Sequence, residues 1–535
     1  MPDRHGVLAI DVGTTSTKAV LFDRAGTVAA SAHRGYPLLA AQPGWAVQDP
    51  DAVVHAVLDS TAAVTAAARD QRIVIVALGL STAMHTLLGL DADRQPITPL
   101  LTWADERAAG QAERLRVEPA GRRLASRSGT PLHPMSPLLK LIWFREEQQD
   151  TFAAARYWVG IKEYLLHRLC GGDLRVDRST ASTTGLYDVL TGDWDDEALE
   201  LAGVRRSQLA RLVDGTERIG PVSSAVADRT GLPAGLPVIA GGSDGALANA
   251  GVGAVRPGTV ACSIGTSGAV RVTVDRPAVD PAGRLFCYEL DDRHWIVGGA
   301  TNNGGNVLRW LHAALAPELP AESADQALLA LAGQAPPGAA GLLMLPYLAG
   351  ERAPRWHGHP RGVYFGLSQQ HRREHLVRAG LEAVCLQLAL VLGVLESTGL
   401  ATHEIRATGG FARSPLWRQL LADVLGRPIG FPASPEGSAF GAAIVAMRAL
   451  GLVDSLDAAA GLVPVVETVQ PTAAATVYAR LLPLYAQLAE TLEPAYEALA
   501  EIRRGTPDPA RPAESGRTKP ASPAPPGPDH PHSPA

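Results

Sequence analysis

Apolar positions first cluster at Val7-Leu8-Ala9-Ile10-Asp11-Val12, stop at Gly13-Thr14-Thr15-Ser16, and resume in Thr17-Lys18-Ala19-Val20-Leu21-Phe22-Asp23. That pattern predicts a strand, a tight hydroxyl-rich turn and a second strand. A comparable unit recurs half a chain later, where residues 260–264 lead into Gly265-Thr266-Ser267-Gly268 and residues 269–272 resume a strand. Two copies predict two related α/β domains facing one cleft. A third unit runs from Ile405 to Trp417 and reads as strand, Gly409-Gly410 turn and helix, with Ser414 as N-cap and Pro415 at the first helical position. Small residues at 437–443 predict close helix packing, and Leu481, Tyr485, Leu488 and Leu492 form a helical stripe. The Gly/Pro-rich stretch at 233–242 suggests a boundary. The expected domains are therefore residues 1–240 and 241–504.

Composition refines this outline. Residues 505–535 carry ten of the 41 prolines and almost no large apolar side chain, so they are expected to form a disordered tail without a catalytic role. The formal net charge is −6, with no block of like charges, which removes the electrostatic footprint of a nucleic-acid binder or a polybasic membrane anchor. Cys170, Cys262, Cys287 and Cys385 are far apart, without zinc spacing, and read as reduced thiols. The apolar run at 383–395 is too short to span a membrane, and the first residues lack the pattern of a secretory signal. A cytoplasmic protein with small-molecule partners is expected, with no nucleic acid and no membrane.

The turns carry the candidate chemistry. Successive backbone N–H groups and hydroxyls at Gly13, Thr14, Thr15 and Ser16 make a concave donor site for phosphate oxygens. Asp11, at the end of a buried strand, would be costly there without a cation or donors, which suggests a metal. Gly409 and Gly410 would let a flat ligand lie against the backbone. The segment Gly241-Gly242-Ser243-Asp244-Gly245 has two readings: a nucleophile elbow in which Ser243 attacks, or a strand end that places the Asp244 carboxylate in the cleft. The elbow reading leaves both hydroxyl-rich turns unexplained and finds no upstream oxyanion loop. There is no P-loop, no complete GxGxxG and no HExxH. Lysine occurs only at Lys18, Lys140, Lys162 and Lys519, so a retained Lys in the folded part suggests a need for a compact ammonium.

Together these elements resemble the FGGY family of carbohydrate kinases from about Val7 to Ala443. One family pattern is complete at residues 135–147; the second spans 362–382 and departs from it only at Gly380. The resemblance implies two actin-like (ribonuclease H-like) α/β domains flanking a cleft, with ATP mainly on the second and sugar mainly on the first. By resemblance, Asp244 is the catalytic base and joins Asp11 as a metal-associated carboxylate. The phosphate and nucleotide site comprises Gly13, Thr14, Thr15, Ser16, Lys18, Gly265, Thr266, Ser267, Gly409, Gly410, Phe411 and Arg413. The segments at 80–87, 99–107, 161–164 and 345–354 look most like those of bacterial gluconate kinases, whereas xylulose kinases typically differ at Thr86 and Ala104. Expected sugar contacts are Met84, His85, Asp105, Arg107, Lys162 and Asp244, with a cation reading the carboxylate.

The expected function is ATP-dependent phosphorylation of D-gluconate to 6-phospho-D-gluconate, with ATP and Mg²⁺ as cofactors and a small-molecule sugar acid as the other partner. A homodimer is compatible with this reading. Two alternatives remain: a xylulose or other pentulose or polyol kinase of the same family, and an actin-like ATPase binding module without sugar kinase activity.

Overall fold

The computed structural model describes residues 4–433 and 437–505. Of the expected tail, only Gly505 falls within them.

A six-stranded sheet organises the first half. Its antiparallel edge comprises Arg4–Val12, Ser16–Asp23 and Val28–Gly35, so the first predicted unit is a hairpin as expected. Arg4–Val12 also runs parallel to Ile73–Thr82, which in turn runs parallel to Pro237–Ser243; Arg218–Pro221 closes the other edge antiparallel. The boundary expected after residue 240 therefore falls inside Pro237–Ser243, a strand of the first sheet, and the second sheet starts at Thr259. The Gly/Pro punctuation that suggested the boundary marks the turn into that strand.

The second half repeats the plan. Thr259–Ile264, Gly268–Val274 and His294–Thr301 form the antiparallel edge, extended by Phe286–Asp291. Glu404–Thr408 and Ile429–Pro432 add in parallel, and Val465–Val469 closes the far edge antiparallel. Pro50–Asp70 links the third and fourth repeat strands of the first half, and Arg373–Ser397 occupies the same place in the second. The second of these helices is long and apolar enough by composition to cross a membrane, but 78% of its apolar window is buried inside the protein, so packing accounts for its composition. Gly380, the departure from the family pattern, faces Leu311: a Cβ there would lie 2.7 Å from its Cδ1.

Two short-residue helices cross between the halves. Asp244–Gly251 packs on Gly437–Ala449, and the latter also packs on the first sheet. A Cβ on Gly441 would fall 2.1 Å from the Leu247 carbonyl oxygen, so the small residues permit the close crossing expected of them. The stripe ending at Leu492 forms the helix Ala475–Thr491, with Tyr485 buried and its hydroxyl on Gln387 Oε1 at 2.8 Å. All four cysteines are free thiols.

Candidate active site

The carboxyl ends of the central strands bring the sequence motifs to one cleft. Asp11 is the penultimate residue of the first strand, and its two carboxylate oxygens each accept a hydroxyl at 2.7 Å, from Ser81 and from Ser438 on the crossing helix Gly437–Ala449. In the turn that follows, the Gly13, Thr14 and Thr15 carbonyls are bonded from behind by the Tyr36 hydroxyl, Gln48 Nε2 and the Tyr36 amide. Because a trans peptide points its N–H opposite its C=O, the amides of Thr14, Thr15 and Ser16 face the other, more exposed side. That is the donor surface expected of an anion-binding turn. Lys18 lies across the hairpin from Asp11.

Asp244 follows directly from Pro237–Ser243 and opens the helix Asp244–Gly251. The strand turns there through Gly241, whose φ is 75° and whose Cβ, were one present, would sit 1.7 Å from the Leu80 carbonyl oxygen. Asp244 Oδ1 accepts the Gly245 amide at 2.7 Å, and the Met84 amide also bonds the carboxylate. Burial, then the nearby Asp11 charge, raises its pKa to about 7, against the lowering influence of Arg271. A carboxylate held near neutrality is suited to accept a proton. Ser243 is fully buried and its hydroxyl pairs with Ser179 Oγ at 3.0 Å, so it has none of the exposure a nucleophile elbow requires.

On the second half, a cavity of about 750 Å³ is lined by Gly265, Thr266, Gly305, Gly410, Phe411, Arg413 and Trp417 among others. Ser414 caps the following helix, accepting the Trp417 amide, and Pro415 starts it, as the pattern predicts. The two glycines divide their work. Gly410 has nothing within 4 Å of a built Cβ and leaves the cavity wall bare, whereas Gly409, at φ 119°, has the Ile264 carbonyl oxygen 2.2 Å from one and serves a close backbone approach. Phe411 is mostly core, near Trp417 and Phe431. The second turn is seated on the helix Gly305–Leu315 through Gly305 N to Gly265 O at 2.7 Å, while Ser267 packs beside Gly304.

The expected sugar contacts fare unevenly. Met84 lies against Gly245 beside Asp244. His85 is buried, with φ 61°, and its Nδ1 is 2.7 Å from the Thr183 carbonyl oxygen, which fixes the proton on Nδ1 and leaves Nε2 an acceptor. Burial, then Lys140, lowers its pKa to about 3, so it stays neutral. Asp105 and Arg107 are spent on each other. The guanidinium makes bonds of 2.7 and 2.8 Å to the carboxylate, which also takes the Ala46 amide, and it stacks 3.7 Å from the Trp45 ring centroid. Arg107 is thus a support for its loop rather than a cation open to a ligand.

Lys162 is likewise a support. Its fully buried ammonium donates to the carbonyls of Leu80, Ala240 and Gly242 and lies 3.2 Å from Asp177, tying Ile73–Thr82 to Pro237–Ser243, the strand that leads into Asp244. Lys140 does the same for the loops of His85 and Thr102, with bonds of 2.7 Å to the carbonyls of both, and burial lowers its pKa to about 7. The scarcity of lysine pointed to compact ammoniums, and two of the three in the folded part are carbonyl staples.

Residues that the sequence reading left out complete the cleft: His133 from the first half, and Arg271, Tyr288 and Arg352 from the second. The Arg352 guanidinium lies 4.7 Å from the centroid of Trp103, whose indole N–H bonds Thr14 Oγ1 at 2.8 Å, so both halves meet here. The Tyr288 and His85 rings approach edge-on at 5.8 Å. Arg352 lies in the 345–354 segment, where an Arg-Ala-Pro run is its only local signal; Arg271 and Tyr288 sit in ordinary strand patterns.

Models of the FGGY family of carbohydrate kinases match the chain twice, the N-terminal domain over residues 6–251 and the C-terminal domain over residues 260–450. The gluconokinase of Bacillus subtilis (strain 168) is 40% identical over 496 residues, covering 91% of this chain and 96% of the relative. Among solved structures, the gluconate kinase from Lactobacillus acidophilus superposes with a TM-score of 0.88 at 34% identity, covering 93% of this chain and all of that one. The ligand-bound xylulose kinase from the same organism also gives 0.88, at 33% identity and 92% coverage of this chain.

Proposed function

The chain belongs to the FGGY family of carbohydrate kinases, and from that premise we propose that it transfers the γ-phosphoryl group of ATP to D-gluconate, giving 6-phospho-D-gluconate. The observation that carries the kinase chemistry is Asp244: a carboxylate beside an anion-binding turn, with a pKa raised to about 7. The choice of gluconate rests on 40% identity to a gluconokinase across nearly the whole chain. The equal structural likeness to a xylulose kinase keeps that sugar as the second reading.

In the mechanism, Asp244 accepts the proton of the attacking hydroxyl, and the Met84 and Gly245 amides orient its carboxylate. His85 Nε2 accepts a sugar hydroxyl, because Thr183 holds the proton on the opposite nitrogen. The Gly13–Ser16 and Gly265–Ser267 turns, with Lys18, donate to phosphate oxygens, while the cavity lined by Gly410, Phe411 and Arg413 takes the nucleoside. Closure of the two halves over the substrates limits ATP hydrolysis by water.

The donor set fits Mg²⁺. Asp11 and Asp244 offer hard carboxylate oxygens, and among the described residues no group of three or more His, Cys, Asp or Glu side chains converges into a complete cage. A magnesium site completed by phosphates and water asks for no more than one or two carboxylates. Bound there, the ion would neutralise phosphate charge. Family membership and the small-molecule partners agree with a cytoplasmic metabolic enzyme. Coupled ADP release with and without D-gluconate tests the function; turnover that ignores the sugar and survives Asp244→Ala would favour an ATPase module.

A further inference from the structure

Arg107, the cation that sequence reasoning aimed at the sugar carboxylate, is paired bidentately with Asp105. The cleft nevertheless contains a buried cation with donor capacity to spare. Arg352 is 7% exposed; one of its terminal nitrogens donates to the Thr301 carbonyl at 2.9 Å, while its Nε is buried without a partner. Among the described residues no carboxylate lies within ion-pair distance of its guanidinium. The adjacent Glu351 carboxylate acts on it through space, but its oxygens are bonded to the Asn302 and Arg352 amides and to Asn303 Nδ2. A buried guanidinium left in that state is costly, and an anionic ligand would offset the cost.

The surroundings say which end of a ligand it meets. Arg352 acts electrostatically on His85 and His133, both of the first half, and on Tyr288, whose buried hydroxyl also lacks a partner. His133 Nδ1 accepts the Met135 amide at 3.2 Å, which puts its proton on Nε2 as a donor. Arg271 is the main cation opposite Asp244, its Nε within 3.7 Å of a Cβ placed on the neighbouring Gly245, and Arg352 is near enough to feel both Asp244 and Arg271. The cleft therefore holds two buried cations, with Tyr288 electrostatically linked to both.

We propose that Arg352, with the Tyr288 hydroxyl, reads the carboxylate of the sugar acid, while Asp244 and Arg271 hold the reacting hydroxyl. This rests on the sugar-acid kinase reading above and deepens it. Because Arg352 comes from the second half and stacks on Trp103 of the first, the carboxylate contact forms only where the two halves meet.

The test compares D-gluconate with D-gluconamide, which keeps the shape and the hydroxyls but lacks the charge, in wild type and in Arg352→Gln, Tyr288→Phe and Arg107→Gln. For Arg352→Gln the ratio of kcat/KM for gluconate over gluconamide is expected to fall on the order of 100-fold, mainly through KM for gluconate. Tyr288→Phe, which removes only a hydroxyl, lowers the ratio by about tenfold. Arg107→Gln lowers activity on both substrates together. An unchanged ratio in both Arg352→Gln and Tyr288→Phe overturns the proposal, as does a fall in the ratio confined to Arg107→Gln. Should the wild type turn over neutral sugars but not gluconate, the underlying sugar-acid reading fails first, which separates that failure from this one.

Discussion

The two halves of the molecule share a topology, yet their cleft faces are built from opposite materials. On the first, loops are held by buried ions: Lys162 and Lys140 staple carbonyls, and Asp105 locks Arg107. On the second, the cavity proposed for the nucleotide has bare backbone in its wall, at Gly265, Gly305 and Gly410. A sugar must be told apart from its stereoisomers, which requires loops held in one geometry. A nucleotide needs a flat slot and amide donors, which glycine supplies. The repeated scaffold is thus neutral about chemistry, and the difference lies in what the strand ends carry.

The strongest way to break this comparison is at the base between the faces. Asp244→Asn is expected to lower turnover by about a thousandfold or more while ATP affinity changes little, as checked by steady-state kinetics and nucleotide binding. The same variant should be the more heat-stable protein. With a native pKa of about 7 against an ordinary 3.8, the carboxylate binds its proton more tightly when folded, so its ionisation weakens the fold as pH rises through that range. The gain in Tm should therefore be full above pH 7 and vanish below about pH 4.

Next in size is the ion-built face. Lys162→Met leaves Asp177 buried without its cation and three carbonyls without their donor, which should cost about 3–5 kcal/mol in urea unfolding. On the glycine-built face the effect should be smaller and of another kind. Gly410→Val meets open space, so the fold should persist, while KM for ATP rises about tenfold and that for the sugar hardly moves. An equal rise in both would dissolve the division of labour. The perturbation that leaves the chain unaltered is pH itself: kcat/KM for the sugar should fall about tenfold per unit below pH 7 as Asp244 takes up its proton, a limb that direct rate measurements between pH 5 and 8 would reveal.

What the sequence made legible, and what it hid, follows the same division. The hairpins at Gly13 and Gly265, the capped helix after Gly410 and the strand end at Asp244 are local, each written in a few adjacent residues, and they stand where the pattern placed them. Partnerships are not local. Arg107 was read as a free cation because its residue type suits a carboxylate, and nothing in the string shows that the carboxylate it meets is Asp105, two positions away. Lys162 likewise drew attention for its rarity, but the carbonyls it serves lie about eighty residues off on either side. Arg271, Tyr288 and Arg352 were overlooked because their strands and loops converge on the sugar loops only after both halves fold.

The most direct test of the account is coupled ADP release with MgATP across D-gluconate, D-xylulose, L-ribulose, glycerol and no sugar, with the product identified by mass and NMR. The account predicts strong turnover that depends on gluconate and yields the 6-phosphate. Preference for another sugar, or ADP release that needs no sugar at all, would contradict it.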